Sequence, residues 1–141
     1  MNNLPYIYND AGRKQNRPSE RNDCTVRALA ISTNIDYSVA HDFLKERGRK
    51  CRKSFLFPKK RSDDCALGYE FVWKSFPLVK GKKRMSPERF AIEFSKGVYI
   101  CKTLKHVYAV VDGVINDIEK VSWFDGKCVY GYWEVKEIED E

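Results

Sequence analysis

The sequence predicts an α+β fold, with N-terminal helices packed on a C-terminal antiparallel sheet. Two observations carry this. The apolar spacing is helical through the first third of the chain and again at 86–97, and it switches to a period of two after Gly97. The dipeptide Asp112-Gly113 lies between `AVV` and `VIN`, a strong signal for a two-residue hairpin joining antiparallel strands. At 141 residues and 43% hydrophobic content the chain suits one domain. We divide it into an extended N-terminal arm (1–20), a single domain (21–135) and an acidic tail (136–141).

The elements follow in order. The segment 1–20 is polar, contains Gly and Pro, and reads as arm or loop. It has no apolar core of a signal peptide. The first helix runs from about Asp23 to Thr33, with Asn34 as a left-handed stop. Val26, Leu29, Ala30 and Thr33 line one side of it, and Cys24, Ala28 and Ile31 the other. A helix apolar on both sides is buried, so Cys24 at its start has the natural access to solvent. The second helix covers about 38–47, capped by Asp36 or Ser38 and stopped by Gly48. Val39, Ala40, Phe43 and Leu44 face inward, and His41 lies away from them at or near the surface. Residues 49–84 read as basic loop, with a strand available in `YEFVWKSFPLV`. The third helix, `SPERFAIEFSKG`, has Ser86 as N-cap, Pro87 in the first turn, an apolar face of Phe90, Ala91 and Phe94, and Gly97 as stop. Strands are expected at 98–102, 106–111, 114–118 and 128–135.

No apolar run approaches the roughly 20 residues of a membrane span, which predicts a soluble chain. The five cysteines (Cys24, Cys51, Cys65, Cys101 and Cys128) are odd in number and lack metal-ligand spacing, as do the two histidines. Reduced thiols in a cytosol, no metal and no cofactor are expected. The net charge is +6. Its densest run is from Lys45 to Arg61, where Glu46 is the one acid, and a second run is `KGKKR` at 80–84. Arg49, Lys50, Arg52, Lys53, Lys59, Lys60 and Arg61 are candidates for binding a polyanion, either nucleic acid or an acidic protein surface.

The hairpin places side chains. With a two-residue turn at Asp112-Gly113, Val111 pairs with Val114, Val110 with Ile115 and Ala109 with Asn116. His106, Tyr108, Val110, Ile115, Asp117 and Glu119 then share one face, with Asp117 diagonal to His106 and Asn116 turned away. A slip of one residue would exchange Asn116 for Asp117. Cys24 at a helix start, His106 at a strand start and Asp117 on the partner strand suit one mechanism. The helix N-terminus, an imidazolium and Arg27 one turn on all favour a thiolate, which Asp23 opposes. His106 exchanges protons, and Asp117 holds its tautomer. An oxyanion would take the Cys24 backbone N–H and a side-chain donor from Gln15, Asn16 or Asn22.

Cysteine at a helix start, histidine at a strand start and Asp or Asn on the next strand, in this chain order, resembles the papain-like cysteine peptidase fold. `NDCTVRALA`, `HVYAVVDGVIND` and `CVYGYW` are also similar to small tailed-bacteriophage proteins described as papain-like or bacteriocin-processing-peptidase-like. The resemblance covers the first helix and roughly residues 95–133. It implies Cys24 as nucleophile, His106 as base, Asp117 as orienting acid, and a viral thiol protease or amidase acting on a peptide or protein in host cytosol. Where such enzymes carry an oxyanion glutamine, about six residues before the cysteine, this chain has Pro18. The other expectation is a non-catalytic protein on the same scaffold, binding nucleic acid or an acidic host protein through the basic run. Acyl transfer by the same triad is a third.

Overall fold

The computed structural model describes residues 5–59, 64–77, 79–118 and 128–139. It consists of strand β1 (Tyr6–Tyr8), helices α1 (Arg13–Asn16), α2 (Cys24–Thr33) and α3 (Tyr37–Glu46), strands β2 (Asp64–Ala66) and β3 (Tyr69–Ser75), helix α4 (Pro87–Glu93), and strands β4 (Val98–Thr103), β5 (His106–Val111), β6 (Val114–Asp117) and β7 (Gly131–Glu137). The strands form one mixed sheet of seven in the order β1-β6-β5-β4-β7-β3-β2. Every pairing is antiparallel except that of β1 with β6. Helices and this sheet make an α+β fold. Among the described residues no helix is long and apolar enough to cross a membrane.

The switch from helical to strand periodicity is realised where the sequence places it. α2 ends on Asn34 in the left-handed conformation (φ 54°), whose N–H closes on the carbonyls of Ala30 and Ile31. α4 starts on Ser86, whose hydroxyl accepts the Arg89 N–H. Both central residues of the β5–β6 turn have positive φ, 47° at Asp112 and 78° at Gly113. This is the geometry that matches the right-handed twist of its strands. Val111, Val110 and Ala109 pair with Val114, Ile115 and Asn116, as the two-residue turn requires.

Alternate residues of the central strands enter two core clusters. Ile100, Val107 and Trp133 pack with Val26, Leu29, Tyr37 and Leu44 of α2 and α3. Cys101, Tyr108, Val110, Ile115 and Tyr132 pack with Phe90 and Ala91 of α4. By the strand pleat these are opposite faces, so helices cover both sides of the sheet.

Several expectations are corrected. The segment 1–20 is not an arm throughout: Tyr6–Tyr8 is an edge strand of the sheet, Arg13–Asn16 is a short helix, and Glu20 is buried. Lys136 and Glu137, expected in the tail, extend β7. The middle holds β2 as well as β3, paired as a hairpin. Val39 of α3 is exposed (47%). His41 is buried against Glu20, with Nε2 2.7 Å from the carboxylate. Glu119 lies outside the described residues.

Candidate active site

The first residue of α2, the first of β5 and the last of β6 converge. His106 Nε2 lies 2.6 Å from Asp117 Oδ2. The Asp117 carboxyl is held below its usual range. Burial alone would raise it, but the His106 hydrogen bond and charge, Arg27 and the Ile118 N–H outweigh burial. An ionised Asp117 only accepts, so Nε2 carries the proton and Nδ1 is left for the Cys24 sulfur, with which His106 is also hydrogen-bonded. His106 stacks on Tyr108 (ring centroids 6.1 Å apart), consistent with the shared face.

Cys24 is half-buried at the start of α2; the other end opens to solvent as well, with Ile31 half-buried and Asn34 exposed. Burial would raise its pKa. The hydrogen bond and positive charge of His106, the backbone N–H of Val107 and the charge of Arg27 bring it below the ordinary thiol range. His106 is shifted the opposite way. Burial would lower its pKa, but Asp117 and the Cys24 thiolate raise it to about 9. Each partner stabilises the charged form of the other, so the site favours a thiolate–imidazolium pair. Cys101, in contrast, is fully buried, and burial pushes its thiol well up. Cys51 and Cys65 are exposed.

Behind the pair lies a buried network that the sequence reading only partly contains. Arg27 donates from NH1 to Asp117 Oδ1 (2.7 Å) and from Nε to Asp23 Oδ1 (3.1 Å). Asp23 sits at the N-cap position without capping the helix. Its carboxylate instead accepts from Arg13 (2.9 Å), Arg27 and the Tyr37 hydroxyl (2.9 Å). The charge expected to oppose the thiolate is therefore compensated by two guanidinium groups. The Asp23–Arg27 pair has the i, i+4 spacing and could have been read from sequence. The Arg27–Asp117 contact depends on tertiary packing.

A second buried cluster fixes the neighbouring loop. Glu20 accepts from Arg49 (3.1 Å) and from the backbone N–H of Arg52 (2.6 Å), and it meets His41. Burial would raise the Glu20 carboxyl, but Arg49, His41 and backbone N–H groups lower it to about 2. Arg49 is 4% exposed, which corrects its assignment as a polyanion-binding residue. Lys50, Arg52, Lys53 and Lys59 are exposed; Lys60 and Arg61 lie outside the described residues.

A cleft of about 390 Å³ opens beside Cys24 and His106. Ser54, Phe55 and Leu56 line it from the loop, and Lys102, Lys105 and Val107 from β4, its turn and β5. The oxyanion candidates are not among its lining residues. Asn22 donates its amide to the Arg52 carbonyl, Asn16 bonds Gly12 and Ser38, and Gln15 is exposed on α1. The backbone N–H of Cys24, in the first turn of α2, has no intrahelical partner and remains suited to an oxyanion. No protein-family model, curated protein or solved structure matches this chain.

Proposed function

We propose that this chain is a papain-like thiol hydrolase, a cysteine peptidase or amidase, that cleaves an amide. The observation that carries the reading is the ordered chain Cys24–His106–Asp117, backed by Arg27, at the mouth of a cleft. The resemblance to small phage proteins extends the reading to a viral enzyme working in host cytosol. The thiolate attacks the carbonyl carbon, and the oxyanion forms near the start of α2. As the carbon–nitrogen bond breaks, the Nδ1 proton passes to the leaving amine. Water then attacks the thioester and gives its proton to the neutral imidazole, releasing the acid and restoring the thiolate–imidazolium pair. Asp117 keeps its own charge and fixes the ring.

The test is alkylation with iodoacetamide at pH 6, with the modified cysteines located by mass spectrometry. Cys24 reacts at least about tenfold faster than the exposed Cys51, because its thiolate fraction is larger at that pH, and His106→Ala removes the difference. Equal labelling of Cys24 and Cys51 would overturn the reading. The second reading, a non-catalytic scaffold holding a polyanion, draws on the exposure of Lys50, Arg52, Lys53 and Lys59. It requires salt-sensitive binding that survives Cys24→Ala.

A further inference from the structure

Building on the thiol-hydrolase reading, we infer that the substrate is an acidic polypeptide segment, cleaved next to an apolar residue, and that the basic loop is its docking wall. Three observations point there. The cleft joins the apolar Phe55, Leu56 and Val107 to two cations, Lys105 and Lys102, the latter also donating to the Thr103 carbonyl, and among the described residues no carboxylate lines it. Leu56 is 42% exposed there and adds to the apolar side of the cleft.

The loop that supplies one wall is fastened to the catalytic helix. The Thr25 hydroxyl donates to the Phe55 carbonyl, the Asn22 amide to the Arg52 carbonyl, and the Arg52 N–H to Glu20. Arg52, exposed on this loop, is therefore tied through its backbone to the segment just before Cys24, and Lys53 follows it directly before the cleft-lining Ser54.

Lys105 occupies a strained position. It is the second residue of the two-residue turn between Thr103 and His106 and has φ 59°, where glycine would cost less. A lysine kept in that conformation holds a cation at the cleft mouth, one residue from the catalytic histidine.

Nucleic acid fits these features less well. A peptide supplies both an amide for the thiolate and an apolar side chain for Phe55 and Leu56, and the basic run has lost Arg49 to Glu20.

The experiment uses the full chain and three matched sets of internally quenched ten-residue peptides. Each has a central leucine flanked by Asp and Glu, by Ser, or by Lys. Acidic flanks raise kcat/KM about tenfold over serine flanks, the effect expected of two or three exposed charge pairs acting together. Lys105→Gly, which relieves the backbone, brings the ratio toward one without lowering thermal stability, and Lys105→Glu inverts it. Cleavage that depends on Cys24 but ignores the flanks would overturn the substrate class and leave the hydrolase standing. If no peptide is cleaved, fluorescence anisotropy on Cys24→Ala decides. Tighter binding of the acidic peptide than the serine one, lost in Lys105→Glu, supports the docking wall, and the alkylation of Cys24 decides the hydrolase separately. Tighter binding of a ten-nucleotide oligothymidine, or no binding of either, overturns the proposal.

Discussion

Arg27 lies between two buried carboxylates and couples the fold to the site. Replacing it with methionine leaves Asp23 and Asp117 without their shared guanidinium. A buried pair broken on one side costs about 3–5 kcal/mol, which urea denaturation would read as a lower midpoint. Asp117→Asn acts in the other direction on His106, whose pKa of about 9 depends on that carboxylate. A folded pKa raised above the unfolded value near 6.5 contributes stability that is complete below 6.5 and lost as pH rises through about 9. In Asp117→Asn that alkaline loss moves down toward 6.5, and the alkaline limb of kcat/KM moves with it. An NMR titration of His106 alongside the pH–rate profile checks both. At this scale the sequence was legible where local geometry decides. The Asp112-Gly113 turn fixed Asp117, not Asn116, as the partner of His106. It was illegible where a partner lies far along the chain, as for His41, whose acid Glu20 sits in a segment that reads as loop.

α2 and the β5–β6 hairpin were readable because each carries its own stop or turn chemistry, and α4 because Ser86 and Pro87 start it; α4 ends at Glu93, before the Gly97 expected to stop it. β1 and β2 were not. They have three residues each, too few for a period to show, and their strand conformation comes from the neighbouring strands. The hairpin offers a sharp test at Gly113. Its φ is 78°, and an added Cβ would lie 3.1 Å from the Ala91 carbonyl oxygen and 3.1 Å from the Ser95 Cα. Backbone strain and a backbone clash both oppose Gly113→Ala, so it loses about 1–3 kcal/mol, read as a lower Tm. If the turn shifts to relieve the clash, Asp117 shifts with it, and alkylation of Cys24 slows as well.

On the scale of the whole molecule, Glu20 holds the segment before α2 to the loop after α3. Its folded pKa of about 2 lies below the ordinary 4.5, so its contribution to stability is complete above about 4.5 and disappears as pH falls toward 2. Glu20→Ala removes that acid-side loss, strands Arg49 and releases the loop. Trypsin then cuts at Arg49–Lys53 faster than in the parent chain, which a timed digest would show. The sheet order has a further consequence. The Tyr6 hydroxyl donates to the Asp117 carbonyl across 111 positions of sequence, and Tyr6–Tyr8 closes the outer edge of β6. Contacts joined across so long a loop form late, after local helices. A refolding chain therefore keeps two clocks. Far-ultraviolet circular dichroism should recover first, and the fast-alkylating thiol of Cys24 should appear only when the first strand has found Asp117.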